Sequence, residues 1–191
     1  VITGLWQIAD MARDGRQIDL DRTAAAMQAY VDAGLTGFDM ADHYGSAEVI
    51  TGTLLASPRG QGVRAFTKWC PEPGPMTAQV VRKGVQRALD RLRVERIDLM
   101  QFHWWSFEHP GYLDAMVELA KLREEGLIAH LGLTNFDTVH LQLLLSHGVP
   151  IASNQVCLSL LDRRATEAMS HLCLERGVRL LAYGSLGGGF L

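Results

Sequence analysis

Four side chains with complementary proton chemistry stand at the ends of short apolar runs in this 191-residue chain. The run in "GFDMADHYGSAE" stops at Asp39 and is followed by Asp42, His43 and Tyr44. "VRAFTKW" ends in Lys68, and "IDLMQFHWW" reaches His103. A phenol has an ordinary pKa near 10, too high to trade protons easily at neutral pH. An ammonium a few ångströms away favours the phenolate and lowers that value. Lys68 can supply this charge to Tyr44, and Asp39 can keep Lys68 charged and in place. His103 can donate a hydrogen bond to an oxygen that is gaining negative charge. Such a set protonates and polarises a carbonyl, and a carbonyl so activated wants a hydride, which proteins obtain from a cofactor.

Each residue also has a plainer reading. Lys68 alone suits a snorkelling surface lysine, His103 a structural imidazole, and Asp39 a turn residue. Tyr183 and Asn135 would pack or sit in loops. The joint pattern is what shifts the balance. Further strand candidates end in Thr134 and Asn135 ("HLGLTNF"), in Asn154 and Gln155 ("IASNQV") and in Tyr183 ("RLLAYGS"), so six consecutive strands carry polar groups at the same end. A metal-dependent hydrolase built on Asp42, His43 and His103 would need three or four convergent ligands, and Lys68 in the same mouth argues against it. No HExxH and no nucleophile motif is present, and no metal is expected.

The elements that must hold these residues alternate. Strands are expected at Ile2–Ile8, Gly37–Met40, Val63–Lys68, Ile97–His103, Ile128–Thr134, Ile151–Val156 and Val178–Tyr183. Helices are expected at Asp21–Ala33, Ala47–Ala56, Thr77–Arg93, Tyr112–Glu125, Thr138–His147 and Arg164–Arg176. Gly34, Gly126, Gly148 and Gly177 act as stop signals. In the third helix Val81, Val85, Ala88, Leu89 and Leu92 fall on one face. Units near 30 residues suit βαβ crossovers, and short apolar strands suit a parallel sheet covered on both sides. An open doubly wound sheet and a (β/α)8 TIM barrel both fit. No GxGxxG follows the first strand, which removes the main signal for the open sheet. A whole barrel needs eight strands and about 250 residues. The barrel reading therefore implies a single domain over residues 1–191, truncated after the seventh strand.

Composition bounds the function classes. Net charge is -3, so no basic surface argues for nucleic acid. No apolar run approaches the ~20 residues of a membrane helix, and "VITGLWQIAD" lacks the features of a signal peptide. Cys70, Cys157 and Cys173 are widely spaced and read as free thiols of a reducing, cytoplasmic compartment. The oligomeric state is not encoded in any of these features.

Taken together, the sequence resembles the aldo-keto reductase family. "FDMADHYG" is similar to that family's Asp-then-Tyr motif, with the same five-residue spacing. "FTKW" resembles its lysine strand, "IDLMQFHWW" its histidine strand, and "EEGLIAHLGLTNF" its G-x-I-x-x-x-G-x-S-N-F segment. "SNQV" matches the glutamine strand, and "LLAYGSLGGGFL" the tyrosine strand with its following loop. The resemblance implies an NADPH-preferring (β/α)8 barrel, NADH not being excluded, that reduces a small-molecule aldehyde or ketone. Tyr44 would be the general acid, tuned by Lys68 and Asp39, with His103 orienting the carbonyl. Tyr183 would stack on the nicotinamide, and Thr134, Asn135 and Gln155 would hold its carboxamide. Leu186 and Gly188 would pass near the pyrophosphate, and Leu5 and Trp6 would lie under the cofactor. Trp69, Trp104 and Trp105 would line the substrate pocket. Some family members are cofactor-binding regulatory subunits of low activity, which is the alternative reading. The chain departs from the family in Cys157 and Leu158 after "SNQV", and in stopping before the segment that grips the 2′-phosphate.

Overall fold

The computed structural model describes residues 1–8, 18–187, 189 and 190. Seven parallel strands follow one another in a single curled sheet, in the order β1 to β7: β1 (Thr3–Gly4), β2 (Gly37–Asp39), β3 (Arg64–Trp69), β4 (Ile97–His103), β5 (Ile128–Thr134), β6 (Ile151–Cys157) and β7 (Arg179–Tyr183). Six helices cross between them: α1 (Leu20–Asp32), α2 (Ala47–Leu55), α3 (Ala78–Leu92), α4 (Gly111–Glu124), α5 (Thr138–Ser146) and α6 (Ala168–Arg176). The architecture is the expected α/β one, a (β/α) barrel present in part. Among the described residues β1 and β7 are each paired on one side only. Among the described residues no helix is long and apolar enough to cross a membrane.

Local chemistry sets the boundaries. The carboxylates of Asp19 and Asp137 accept the backbone N–H groups of Arg22 and His140, each at 2.9 Å, and cap α1 and α5. Thr77 does the same for α3. Such caps satisfy donors that the first helical turn leaves without a partner. The apolar face of α3 is the one the spacing predicts: Val81, Val85, Ala88, Leu89 and Leu92 are all buried. At Gly84 of the same helix an added Cβ would stand 2.5 Å from the Trp69 ring. The missing side chain is what lets α3 lie against β3.

Two expectations need correction. The first strand is not Ile2–Ile8: it covers Thr3–Gly4, and Trp6–Ile8 form a 3-10 turn. Its neighbour β2 ends at Asp39, whose carbonyl receives the Leu5 amide at 2.9 Å, so later residues have no ladder partner. The sixth helix is not continuous from Arg164. Residues Arg164–Thr166 make a 3-10 turn, and Glu167 then leaves helical backbone angles (φ -108°, ψ -112°) before α6 begins.

Side chains along each strand alternate between the helices and the barrel interior. On β4, Met100 and Phe102 join the core beneath the helices, while Leu99, Gln101 and His103 share the opposite face. On β3 and β4 that inner face passes from Phe66 and Leu99 to Lys68, Gln101 and His103 toward the C-terminal ends. The polar level is where the sequence pattern converges.

Candidate active site

The sheet brings Asp39, Tyr44, Lys68 and His103 to one mouth. Lys68 is 2% exposed and its Nζ donates to Asp39 Oδ2 and, at 3.2 Å, to the Met40 carbonyl. The same ammonium lies 5.3 Å from the centroid of the Tyr44 ring. Twenty-nine residues separate Lys68 from Asp39 in sequence, and adjacent parallel strands bring them together. Tyr44 leaves β2 in a tight turn closed by its N–H on the Ala41 carbonyl at 3.0 Å. Trp6 meets it edge-on at 4.8 Å, and His43 does so at 4.9 Å.

A polar girder holds the Tyr44 loop from behind. Glu48, 1% exposed on α2, accepts from Thr67 Oγ1 at 2.6 Å and from Arg91 at 3.1 Å. Arg91 also reaches the Asp42 carbonyl at 3.0 Å, and Arg87 takes the Asp42 carboxylate at 2.7 Å. Asp42 is thus bound to a guanidinium. Among the described residues no three His, Cys, Asp or Glu side chains are placed to hold a metal ion together.

The electrostatics differ from the expectation in one respect. The Lys68 ammonium does not bring Tyr44 below its ordinary value. Burial, then the charge of Asp39, pushes the phenol up to about 12. The ammonium is already engaged by Asp39, and burial is larger than the attraction left over. Tyr44 therefore holds its proton at neutral pH. Burial also depresses Lys68, and Asp39 opposes that shift. His103 is pushed down to about 4, first by burial and then by His43 and Lys68. Its imidazole is neutral at pH 7, and among the described residues neither ring nitrogen has a hydrogen-bond partner. A buried polar group without a partner is costly.

The remaining predicted residues divide. Thr134 is buried with its hydroxyl oxygen unpartnered. Asn135 follows at a left-handed φ of 58° and is exposed, and Tyr183 Oη donates to its Oδ1 at 3.0 Å. Gln155 is buried and its Nε2 donates inward to Asp39 Oδ1 at 2.8 Å. A cavity of about 380 Å³ opens beside Asn135, Val156, Cys157, Arg164, Met169 and Tyr183; Tyr44, Lys68 and His103 do not line it. Leu5 is buried beside β2, and Leu186 is 65% exposed. Gly188 lies outside the described residues.

The pocket assignment of Trp69 and Trp104 is not what the structure shows. Both are buried in the core, 4% and 2% exposed, and both pack on Phe102. Successive residues on a strand face opposite sides, so Trp69 turns to the helices where Lys68 turns inward. Of these three tryptophans, Trp105 lies at the mouth. It is exposed, its ring lies 4.1 Å from that of His103, and its indole N–H points at Cys70 Sγ. Cys70, Glu48, Arg91 and Gln101 were not legible as site residues in the motifs. For Gln101 a signal exists: it precedes His103 by two on a strand and so shares its face.

The partial parallel barrel thus carries a lysine–aspartate pair, a phenol and a neutral imidazole toward its C-terminal mouth. The chain belongs to the aldo/keto reductase family, whose model it matches over residues 1–191. It is 27% identical to the chloroplastic pyridoxal reductase of Arabidopsis thaliana over 207 residues, covering 98% of this chain and 57% of that protein. The chain thus spans little more than half the length of that relative. Among solved structures, a thermostable aldo-keto reductase in complex with the inhibitor epalrestat superposes with a TM-score of 0.85 at 25% identity, covering 100% of this chain and 70% of the other. The aldo/keto reductase of Klebsiella pneumoniae, solved with NADP and acetate, gives 0.83 at 25% identity over 98% of this chain and 65% of its own.

Proposed function

We propose that the protein is a nicotinamide-dependent carbonyl reductase, NADPH being the expected cofactor, with Tyr44 as general acid in reduction and general base in oxidation. The observation that carries this reading is the buried Lys68–Asp39 pair beside a protonated Tyr44 and an unpartnered, neutral His103. The residues present suit the cofactor. Thr134 offers a buried hydroxyl with no partner, Asn135 an exposed amide, and Tyr183 an accessible ring. A relative solved with NADP supports the same choice. When bound, the dihydronicotinamide would supply the hydride.

The chain's own residues do the rest. His103 donates one hydrogen bond to the carbonyl oxygen and fixes its lone pairs. As charge develops on that oxygen, Tyr44 releases its proton to it. The resulting phenolate is stabilised by the Lys68 ammonium, which Asp39 keeps charged. A high resting value on Tyr44 suits the acid role, because the proton stays on the phenol until an alkoxide forms. Trp6 and Trp105 flank the mouth with apolar surface beside Tyr44 and His103.

Titration of the full chain with NADPH and with NADH, followed by nicotinamide fluorescence, tests the reading. Saturable binding together with reduction of a simple aldehyde is expected. A chain that binds neither nucleotide contradicts it.

A further inference from the structure

Gln101 is fully buried at the centre of β4, on the inner face of the barrel. Its Nε2 donates to Asp39 Oδ1 at 2.8 Å. Its Oε1 accepts from Gln155 Nε2 at 3.1 Å, and that same Nε2 donates to Asp39 Oδ1 at 2.8 Å. Asp39 Oδ2 takes the ammonium of Lys68. One carboxylate therefore carries two amide donors on one oxygen and the lysine on the other. Space for the amide is made across the sheet. Gln101 pairs in register with Gly132 of β5, at which the ladder between β5 and β6 shifts. A Cβ at position 132 would stand 3.1 Å from Gln101 Cγ and 2.6 Å from Ser153 Oγ.

We propose that Gln101 is a positioning residue for proton transfer: its amide fixes the Asp39 carboxylate that holds Lys68 beside Tyr44, and ties that pair to Gln155. The inference rests on the carbonyl-reductase reading given above. Neutral N–H donors favour the ionised carboxylate, and a carboxylate bound on both oxygens cannot rotate. Lys68 is costly to keep charged where it is buried, so it depends on that anion. Loss of the amide frees one edge of Asp39 and lets the ammonium drift from the phenol, and displacements of about 1 Å near reacting groups cost on the order of 100-fold.

The test compares Gln101→Leu and Gln101→Glu with the unaltered full chain, using NADPH and 4-nitrobenzaldehyde. Single-turnover reduction is measured from pH 5 to 9, and cofactor affinity by fluorescence. Gln101→Leu is expected to slow reduction by about 10- to 100-fold, to move the pH at which the rate falls, and to leave NADPH affinity within about three-fold. Gln101→Glu has nearly the same volume but no donor when ionised, so its rate should recover as pH falls and the new carboxyl regains a proton. Should Gln101→Leu fail to fold, the Gln101→Glu profile decides alone. Rates within two-fold of the unaltered chain, or a loss with an unmoved pH profile, would overturn the proposal. Tyr44→Phe serves as the control. If it stays active, the reductase reading itself falls; if it is inactive while Gln101→Leu and Gln101→Glu are normal, only the role of Gln101 does.

Discussion

His103 shows how much one side chain can be asked to carry. It is buried, neutral and without a hydrogen bond on either nitrogen. Its folded value of about 4 lies below the ordinary 6.5, so as pH falls the unfolded chain takes up the proton first. Stability from this residue is therefore complete above about pH 6.5 and declines as pH drops toward 4. His103→Gln should flatten that decline. Between pH 7 and pH 5 the unaltered chain should lose on the order of 1–2 kcal/mol more than the variant, measured as urea midpoints at the two pH values. An equal loss in both would show that His103 is not buried neutral. At this scale the sequence was informative about identity and poor about direction. The motifs singled out Asp39, Tyr44, Lys68 and His103, and the sheet gathers all four. The shift of Tyr44 had the opposite sign because burial, which a motif cannot display, outweighs a lysine already engaged by its own carboxylate.

The elements were legible where periodicity is strong. The α3 face emerged as predicted because a 15-residue helix shows its stripe several times over. The first strand was overextended because an apolar run does not reveal where its partner ends, and β2 ends at Asp39. Trp69 and Trp104 lie in the core for a related reason. Which face of β3 meets the helices depends on a one-residue register, and Trp69 lies on the helix side. That placement makes a prediction at the interface of α3 with β3. Gly84→Ala gains about 1 kcal/mol of helix propensity, yet its methyl would press on a Trp69 ring that Phe102 backs. Overpacking of this kind costs about 1–3 kcal/mol. A net loss of stability is expected in thermal unfolding, with a near-ultraviolet change from the tryptophan. A stabilised Gly84→Ala would mean that α3 does not approach β3 so closely.

The described residues form a curled sheet with a protected centre and an end strand on each side that pairs on one edge. β4 and β5 are flanked by strands on both sides and by helices without, and β4 is buried almost throughout. β7 keeps one neighbour, and Arg179, Ala182 and Tyr183 are exposed. Hydrogen exchange should therefore be slowest in β4 and β5 and faster by orders of magnitude in β7, since opening a strand end costs less than opening the core. Uniform protection across all seven strands would require β7 to be covered. The same curl is what converts distant sequence positions into one mouth, with Asp39, Lys68 and His103 delivered by β2, β3 and β4 and Tyr44 by the turn after β2. The account stands on the proton that Tyr44 holds there. Tyr44→Phe keeps the ring and its contact with Trp6 and removes only the hydroxyl. Measured by single-turnover aldehyde reduction in the full chain, it should be about 100- to 10,000-fold slower with NADPH affinity unchanged; a variant that reduces the aldehyde within a few-fold of the unaltered rate would contradict the account.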